Sequence, residues 1–430
     1  NEVVSIGIDT WGCDYGLIDG SGEMVGNPHQ YRDARSEVMA EAADRIFGQE
    51  KIYASTGVMP AFYNTSGHLL AEKTNKSKSL SVASHLLFIP DLLGYFLTGK
   101  MANEQTVAST SQLYNPLRKD WAWDVIDGLG LPPHIFGAII KPGEILGSLS
   151  SELSVQLGAK TEIRVVAAPS HDTASAVAGI PIGDHSAVDG GRDVWISSGT
   201  WSIMGVELAE PILSEQARQA GFANELGVND SVRFLKNISG LWLIQECRRH
   251  WADQGEELDY AELTRLSECA EPFTAFIDPD DPRFAVAGEM PQKVAAYCVE
   301  TGQDEPLGKG AILRVISESL ALKYRVIFDQ LSEVLGENLG KVYMGGGGIQ
   351  NQLIAQNASD AIGREIIAGP VEATSCGNLI TQMVGMGDIA DIASGRELIR
   401  RSNSTQNYSP TDADVWQQQL ARFKSVTNIH

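Results

Sequence analysis

The apolar run Val165-Val166-Ala167-Ala168 breaks at Pro169-Ser170-His171-Asp172, and Thr173-Ala174-Ser175-Ala176 follows at once. A short apolar run closed by a polar turn, with small residues opening a helix, reads as a buried strand feeding a helix in an α/β layer. A second such run, Asp193 to Ser197, ends in Ser198-Gly199-Thr200-Trp201, a turn whose backbone can approach a phosphate closely. Strand ends of α/β sheets are where ligands meet catalytic side chains. A carboxylate able to take a hydroxyl proton, together with turns able to hold phosphate, is the minimum equipment for phosphoryl transfer to an alcohol.

The same alternation runs along the whole chain. Residues 3–9 read as a strand, Thr10 to Gly12 as a turn, and Tyr15 to Ile18 as a second strand closed by Asp19-Gly20-Ser21-Gly22. Helical periodicity covers roughly 33–48, 67–76 and 81–98, the last stopping at Gly99, while 100–160 reads as irregular. Further strands are expected near 193–206, 232–237, 341–344 and 364–368, with helices at 241–253, 259–269, 310–336 and 350–362. With 430 residues the chain exceeds one ordinary core. Two domains are therefore expected, 1–178 and 179–430, with the boundary in 175–190 where Gly179, Pro181 and Gly183 cluster.

Composition narrows the class. A hydrophobic share of 43% with 20% charged residues describes a soluble globular protein. The longest apolar stretch, Leu86 to Leu97, contains Pro90 and Asp91 and is too short for a bilayer. Asn1-Glu2-Val3-Val4 shows no basic or hydrophobic signal pattern, and the five cysteines form no CxxC pair, which favours free thiols in the cytoplasm. The net charge of −22 argues against nucleic acid, which calls for a basic face.

Asp172 is the candidate general base, with His171 and Thr173 placed to hydrogen-bond neighbouring hydroxyls. The competing reading makes Ser170 or Asp172 the N-cap of the helix near Thr173. Gly345-Gly346-Gly347-Gly348 after Val342-Tyr343-Met344 fits a turn that exposes amides to an anion or an adenosine moiety. It is not a dinucleotide fingerprint, because Gln350 stands where the third glycine belongs, and GxxxxGK[ST] is absent. Gly369-Pro370 and Cys376-Gly377-Asn378 either close a nucleotide pocket or simply punctuate the chain. Asp9-Thr10-Trp11-Gly12 offers an aromatic wall beside polar groups, suited to a sugar face, or else a core tryptophan in a hairpin. In Tyr31-Arg32-Asp33-Ala34-Arg35, Asp33 reads as an N-cap, Arg35 as a solvated charge and Arg32 as a residue able to reach a sugar or a domain interface. Within Asn237 to Gln245, Trp242, Leu243 and Ile244 read as core, with Asn237 and Gln245 as the polar residues facing a ligand. The eight histidines show neither HxH nor HExxH spacing, so no protein-built metal site is expected.

In chain order these segments resemble the FGGY carbohydrate kinases: Ser5 to Gly12, Tyr31 to Arg35, Ser170 to Ala176, Ser197 to Ser202, Leu235 to Asn237, Gly240 to Leu243 with Gln245, Gly346 to Gly348 and Gly369 to Ala373. Single pieces are unspecific, but the ordered set covers nearly the whole chain. The resemblance implies two actin-like (ribonuclease H-like) domains in which ATP and sugar meet in the interdomain cleft, with Mg²⁺ accompanying the nucleotide. It implies Asp172 as base and Gly12, His171, Thr173 and Asn237 as ketose contacts, beside Thr10 and Trp11. It also implies Thr200, Gln245 and Gly347 as nucleotide contacts, flanked by Gly346 and Gly348. Family members open with a strand–DxG–turn–strand unit that grips the β- and γ-phosphates. Here the sequence starts at the strand carrying Asp9 to Gly12, so an N-terminally incomplete first domain is expected. A non-catalytic sugar- or nucleotide-binding relative, or a kinase acting on a different ketose, would display the same segments.

Overall fold

The computed structural model describes residues 3–183 and 191–429. The part of the expected domain boundary at 184–190 lies outside the described residues. The chain divides into two compact units, and not by a single cut. One comprises Asn1–Gly179, Glu207–Leu235 and Ala373–Ile399; the other comprises Ile180–Val206, Lys236–Glu372 and Arg400–His430.

In the first unit the strand Ser5–Gly7 pairs in parallel with Arg164–Val166, which pairs antiparallel with Ile145–Ser148. Tyr15–Asp19 pairs antiparallel with Ala83–Phe88, and Ala223–Leu226 with the start of Val232–Ser239. Leu17, Leu69, Leu86, Phe88, Trp121 and Ile126 belong to one buried apolar cluster, where the Trp121 and Phe136 rings meet edge to face at 4.9 Å. The helices Asp172–Gly179 and Ala373–Met386 pack against each other at unusually short range. A Cβ on Gly377 would fall 1.8 Å from the Ser175 carbonyl oxygen, and one on Gly179 2.0 Å from that of Ala373. Glycine is what lets these two backbones touch.

In the second unit Arg192–Ser198 lies between Trp201–Leu208, antiparallel, and Leu339–Gly345, parallel; Ile366–Ala368 and Gln406–Tyr408 extend the sheet beyond Leu339–Gly345. The 27-residue helix Lys309–Leu335 packs on Gln352–Ile362 and Tyr260–Glu268. Phe276, Leu322, Val326, Trp416 and Phe423 fill a core of their own.

Most expected elements form near their expected places, with instructive departures. The helix expected over 81–98 is a strand, Ala83–Phe88, followed by a helix, Ile89–Thr98. Pairing with Tyr15–Asp19 overrides the helical periodicity, and Pro90 sits in the first turn, where its missing N–H costs nothing. The helix expected over 33–48 is a 3₁₀ turn, Ala34–Ser36, and a helix, Met39–Phe47. Residues 100–160, read as irregular, hold many short elements of two to six residues, such as Asn103–Glu104, Gln105–Ala108 and Trp123–Gly128. The strands on either side of Thr10–Gly12 do not pair with each other; each finds a partner distant in sequence.

Candidate active site

The Ser-His-Asp-Thr corner is built by backbone pairing before any side chain acts. Beyond the parallel register of Ser5–Gly7 with Arg164–Val166, the two chains stay together: Thr10 N–H donates to Ser170 O at 2.9 Å and Asp172 N–H to Thr10 O at 2.8 Å. This bridge draws Thr10, Trp11, Gly12, His171, Asp172 and Thr173 into one corner of the first unit. Asp172 is the first residue of its helix, so its carboxylate sits at the positive helix end, its side chain 48% exposed. Thr173 Oγ1 donates to Asp172 Oδ1 at 3.2 Å. His171 Nε2 stands 3.5 Å from the same oxygen.

A buried carboxylate supports the corner from behind. Glu104 caps Gln105–Ala108, accepting from Thr106 N at 2.9 Å and Val107 N at 3.2 Å. Its Oε2 also accepts Ser170 N–H at 3.0 Å, and Thr106 Oγ1 accepts His171 N–H at 3.2 Å. Burial pushes the Glu104 carboxyl up to about 7 against the pull of these hydrogen bonds. Behind His171 lies a second buried pair, Glu225 and Arg233, joined at 3.0 Å. Burial tends to raise the Glu225 carboxyl, but its surroundings, the Arg233 charge first among them, hold it below the ordinary value.

The Asp9-Thr10-Trp11-Gly12 segment is fixed in the same way. Trp11 is 47% exposed, which rules out the core-tryptophan reading, and its indole N–H donates to Asp14 Oδ2 at 2.7 Å. Burial pushes the Asp14 carboxyl up to about 6. A Cβ on Gly12 would fall 2.8 Å from Thr110 Oγ1, the hydroxyl that receives Cys13 N–H at 3.1 Å. Burial also raises the Asp9 carboxyl; Asn378 Nδ2 donates to it, lowering it, and the charge of Asp172 raises it again. Cys376-Gly377-Asn378 is thus helical rather than a closing loop, with Gly377 spent on packing and Asn378 on Asp9.

The second unit holds Asn237, Thr200, Gln245 and Gly346 to Gly348. Leu241 N–H donates to Gly199 O at 3.1 Å and Trp242 N–H to Thr200 O at 3.0 Å, joining the Ser198–Trp201 turn to the start of helix Trp242–Asp253. Trp242 is half-buried, its indole N–H on the Phe284 carbonyl, while Leu243 and Ile244 are core. Three glycines of the run differ in what surrounds them. A Cβ on Gly346 would fall 2.7 Å from Ser198 O and one on Gly348 2.0 Å from Ser198 Oγ, whereas one on Gly347 would meet nothing within 4 Å. Gly347 is the open one. Thr200 is exposed, and Asn237 and Gln245 are half-buried.

In the Tyr31–Arg35 segment, Asp33 does cap the 3₁₀ turn, accepting Arg35 N–H at 3.0 Å. Arg35 is not solvated: its side chain is 17% exposed and lies 3.7 Å from the buried Glu72.

Sequence reasoning missed Glu104, Thr106, Thr110, Glu225 and Arg233, and placed Asn378 only in a pocket-closing or punctuating turn. For Glu225 and Arg233 a signal existed, since single opposite charges inside the runs Ala223–Leu226 and Val232–Leu235 call for a buried pair. For Glu104 the local cap of Gln105–Ala108 carries no hint of the site, because its bond to Ser170 N–H comes only from the tertiary approach of a distant segment. Among the described residues no three His, Cys, Asp or Glu side chains converge as a metal site.

A half-exposed acid on a rigid strand-to-helix corner, in a chain of two α/β units, has the makings of a phosphotransferase. Sequence profiles agree: the N-terminal domain of the FGGY family of carbohydrate kinases matches residues 1–179 and its C-terminal domain residues 194–386. The chain belongs to the FGGY family of carbohydrate kinases. Among its relatives, a rhamnulokinase of Bacteroides thetaiotaomicron is 38% identical, covering 99% of this chain and 85% of its own. A rhamnulokinase of Enterococcus faecalis is 40% identical, covering 95% and 81%. The fold is also that of a gluconate kinase from Lactobacillus acidophilus, with a TM-score of 0.77 at 14% identity over 100% of this chain and 84% of that one. A Plasmodium falciparum glycerol kinase with ADP gives 0.74 at 17% identity, over 98% and 82%.

Proposed function

We propose that this chain transfers the γ-phosphoryl group of Mg-ATP to the 1-hydroxyl of L-rhamnulose, giving L-rhamnulose 1-phosphate in rhamnose catabolism. Support comes from the rhamnulokinase relatives, 35–40% identical over nearly the full chain. The observation that carries the mechanism is Asp172, a carboxylate half-open to solvent whose backbone and neighbours are fixed from every side.

Asp172 takes the proton of the primary hydroxyl as its oxygen attacks the γ-phosphorus in line; the bond to the β-phosphate oxygen breaks and Mg-ADP leaves. His171, Thr173, Thr10, Gly12 and Asn237 bind the ketose, and Trp11 provides an apolar wall. Thr200, Gln245 and the amides of Gly346 to Gly348 bind the nucleotide, Gly347 offering the unobstructed approach. The ketose side then falls to the N-terminal domain, 1–178, and most of the nucleotide side to the C-terminal domain, 179–430. The five cysteines are thiols rather than disulfides, which suits the reducing cytoplasm, and among the described residues no helix is long and apolar enough to cross a membrane.

Coupled ADP release with Mg-ATP and a panel of L-rhamnulose, L-fuculose and D-xylulose tests this. L-Rhamnulose should give the highest kcat/KM. A folded protein that releases ADP with none of them is a non-catalytic binder, and one that prefers another ketose has a different substrate.

A further inference from the structure

Arg233 is wholly buried and stands directly across from Glu225 in the pairing of Ala223–Leu226 with Val232–Ser239. Its Nε donates to Leu226 O at 3.0 Å and its Nη2 to Glu225 Oε2 at 3.0 Å. Nη2 also stands 3.2 Å from His171 Nδ1 in hydrogen-bonding geometry, while Nη1 is buried without a partner.

A guanidinium has five N–H donors, no acceptor, and keeps its proton in proteins. In its bond with Nη2 the imidazole nitrogen is therefore the acceptor. Nδ1 accepts only when bare, so the proton of the neutral ring is on Nε2. Glu225 Oε2 lies 3.2 Å from the same Nδ1 and by itself would favour the other tautomer. Its shorter contact is with Nη2, which can donate to carboxylate and ring at once. On the far side of the ring, Nε2 faces Asp172 Oδ1 at 3.5 Å.

We infer that Arg233 is a positioning residue that fixes His171 as its Nε2–H tautomer. The ring then presents a donor, beside the Asp172 carboxylate, to an oxygen of the bound ketose. The identity of that ligand rests on the proposed kinase reaction; the tautomer does not. Stability alone does not account for the Glu225–Arg233 pair. Apolar side chains of similar shape commonly replace a buried ion pair without loss, and the unpartnered Nη1 adds a desolvation cost. What an apolar pair lacks is a permanent proton donor aimed at Nδ1. With that lone pair occupied, proton removal falls to Asp172.

Two-bond ¹H–¹⁵N correlation spectra of the full chain with ¹⁵N-labelled histidine, assigned with His171→Gln, test the inference. The wild type should show the neutral His171 ring with bare Nδ1 and protonated Nε2. Arg233→Lys, which retains a donor, should preserve that spectrum. Arg233→Met combined with Glu225→Gln removes both charges, leaving no lone buried ion. That variant should move the proton to Nδ1 or mix the two forms, and raise the ketose KM by about tenfold or more with a smaller change in kcat. An Nδ1–H ring in the wild type overturns the inference, as does a double variant with unchanged spectrum and KM. If the double variant does not fold, the wild-type and Arg233→Lys spectra decide. Absence of turnover with every ketose would remove the proposed reaction and leave the spectral result standing.

Discussion

Asp172 gives its backbone N–H to the carbonyl oxygen of Thr10 at 2.8 Å, tying the acid of one strand end to the turn of another more than 150 residues away. Thr10 returns its own N–H to Ser170 at 2.9 Å. The orientation of the acid is thereby set by main-chain geometry, which side-chain substitution leaves in place.

For that reason Asp172→Asn should keep the corner intact while removing the proposed proton acceptor. Turnover should fall by about 10² to 10⁴-fold, the usual reach of general base catalysis. Ketose affinity should stay within about tenfold, roughly 1.4 kcal/mol. Coupled ADP release and titration calorimetry measure the two; unchanged turnover would remove Asp172 from the chemistry.

Glu104 makes the corner sensitive to pH. Burial raises its carboxyl from 4.5 to about 7. Since the folded value lies above the unfolded one, this stabilising contribution is complete below about pH 4.5 and is lost as pH rises through about 7. Its size is about 3 kcal/mol at roughly 1.4 kcal/mol per unit. Glu104→Gln carries no titrating proton at this position and supplies the pH-independent reference. Denaturant titrations of both proteins between pH 4.5 and 7 should show the wild-type advantage shrinking as pH rises; a constant gap would contradict it.

The Trp11–Asp14 hydrogen bond should be visible by fluorescence. Asp14 is raised to about 6 by burial. The difference spectrum between wild type and Trp11→Phe isolates one indole among eight. It should change with a midpoint near 6 and lose that transition in Asp14→Asn. A transition that survives Asp14→Asn belongs to another group.

Gly347 and Gly348 should separate function from packing. Gly348→Ala drives a methyl to 2.0 Å from Ser198 Oγ and should cost about 1–3 kcal/mol of stability. Gly347→Ala meets nothing within 4 Å and should stay within about 0.5 kcal/mol of wild type, while raising the KM for ATP. Equal melting temperatures for the two variants would contradict the assignment.

Gly377→Ala places a methyl 1.8 Å from Ser175 O, where backbone rather than a flexible side chain must yield. A loss of about 3 kcal/mol or more is expected, at the upper end of overpacking costs. Because the displaced helix carries Asp172, turnover should fall as well. Calorimetry would refute the close-packing account if the melting temperature did not move.

Local sequence determined a good deal of this. The strand into Ser170, the helix beginning at Asp172, the Ser198–Trp201 turn and the strand before Gly345 are legible because apolar runs and turn residues act within a few positions of one another. Asp33 capping its turn is local too. Tertiary structure alone decided that Ala83–Phe88 is a strand, since its partner Tyr15–Asp19 lies some sixty residues earlier. It alone gave Glu104, Asn378, Glu225 and Arg233 their places around Ser170, Asp9 and His171. A buried polar group needs hydrogen-bond partners, and where these come from distant chain, as Ser170 does for Glu104 and Asp9 for Asn378, no window of sequence contains them.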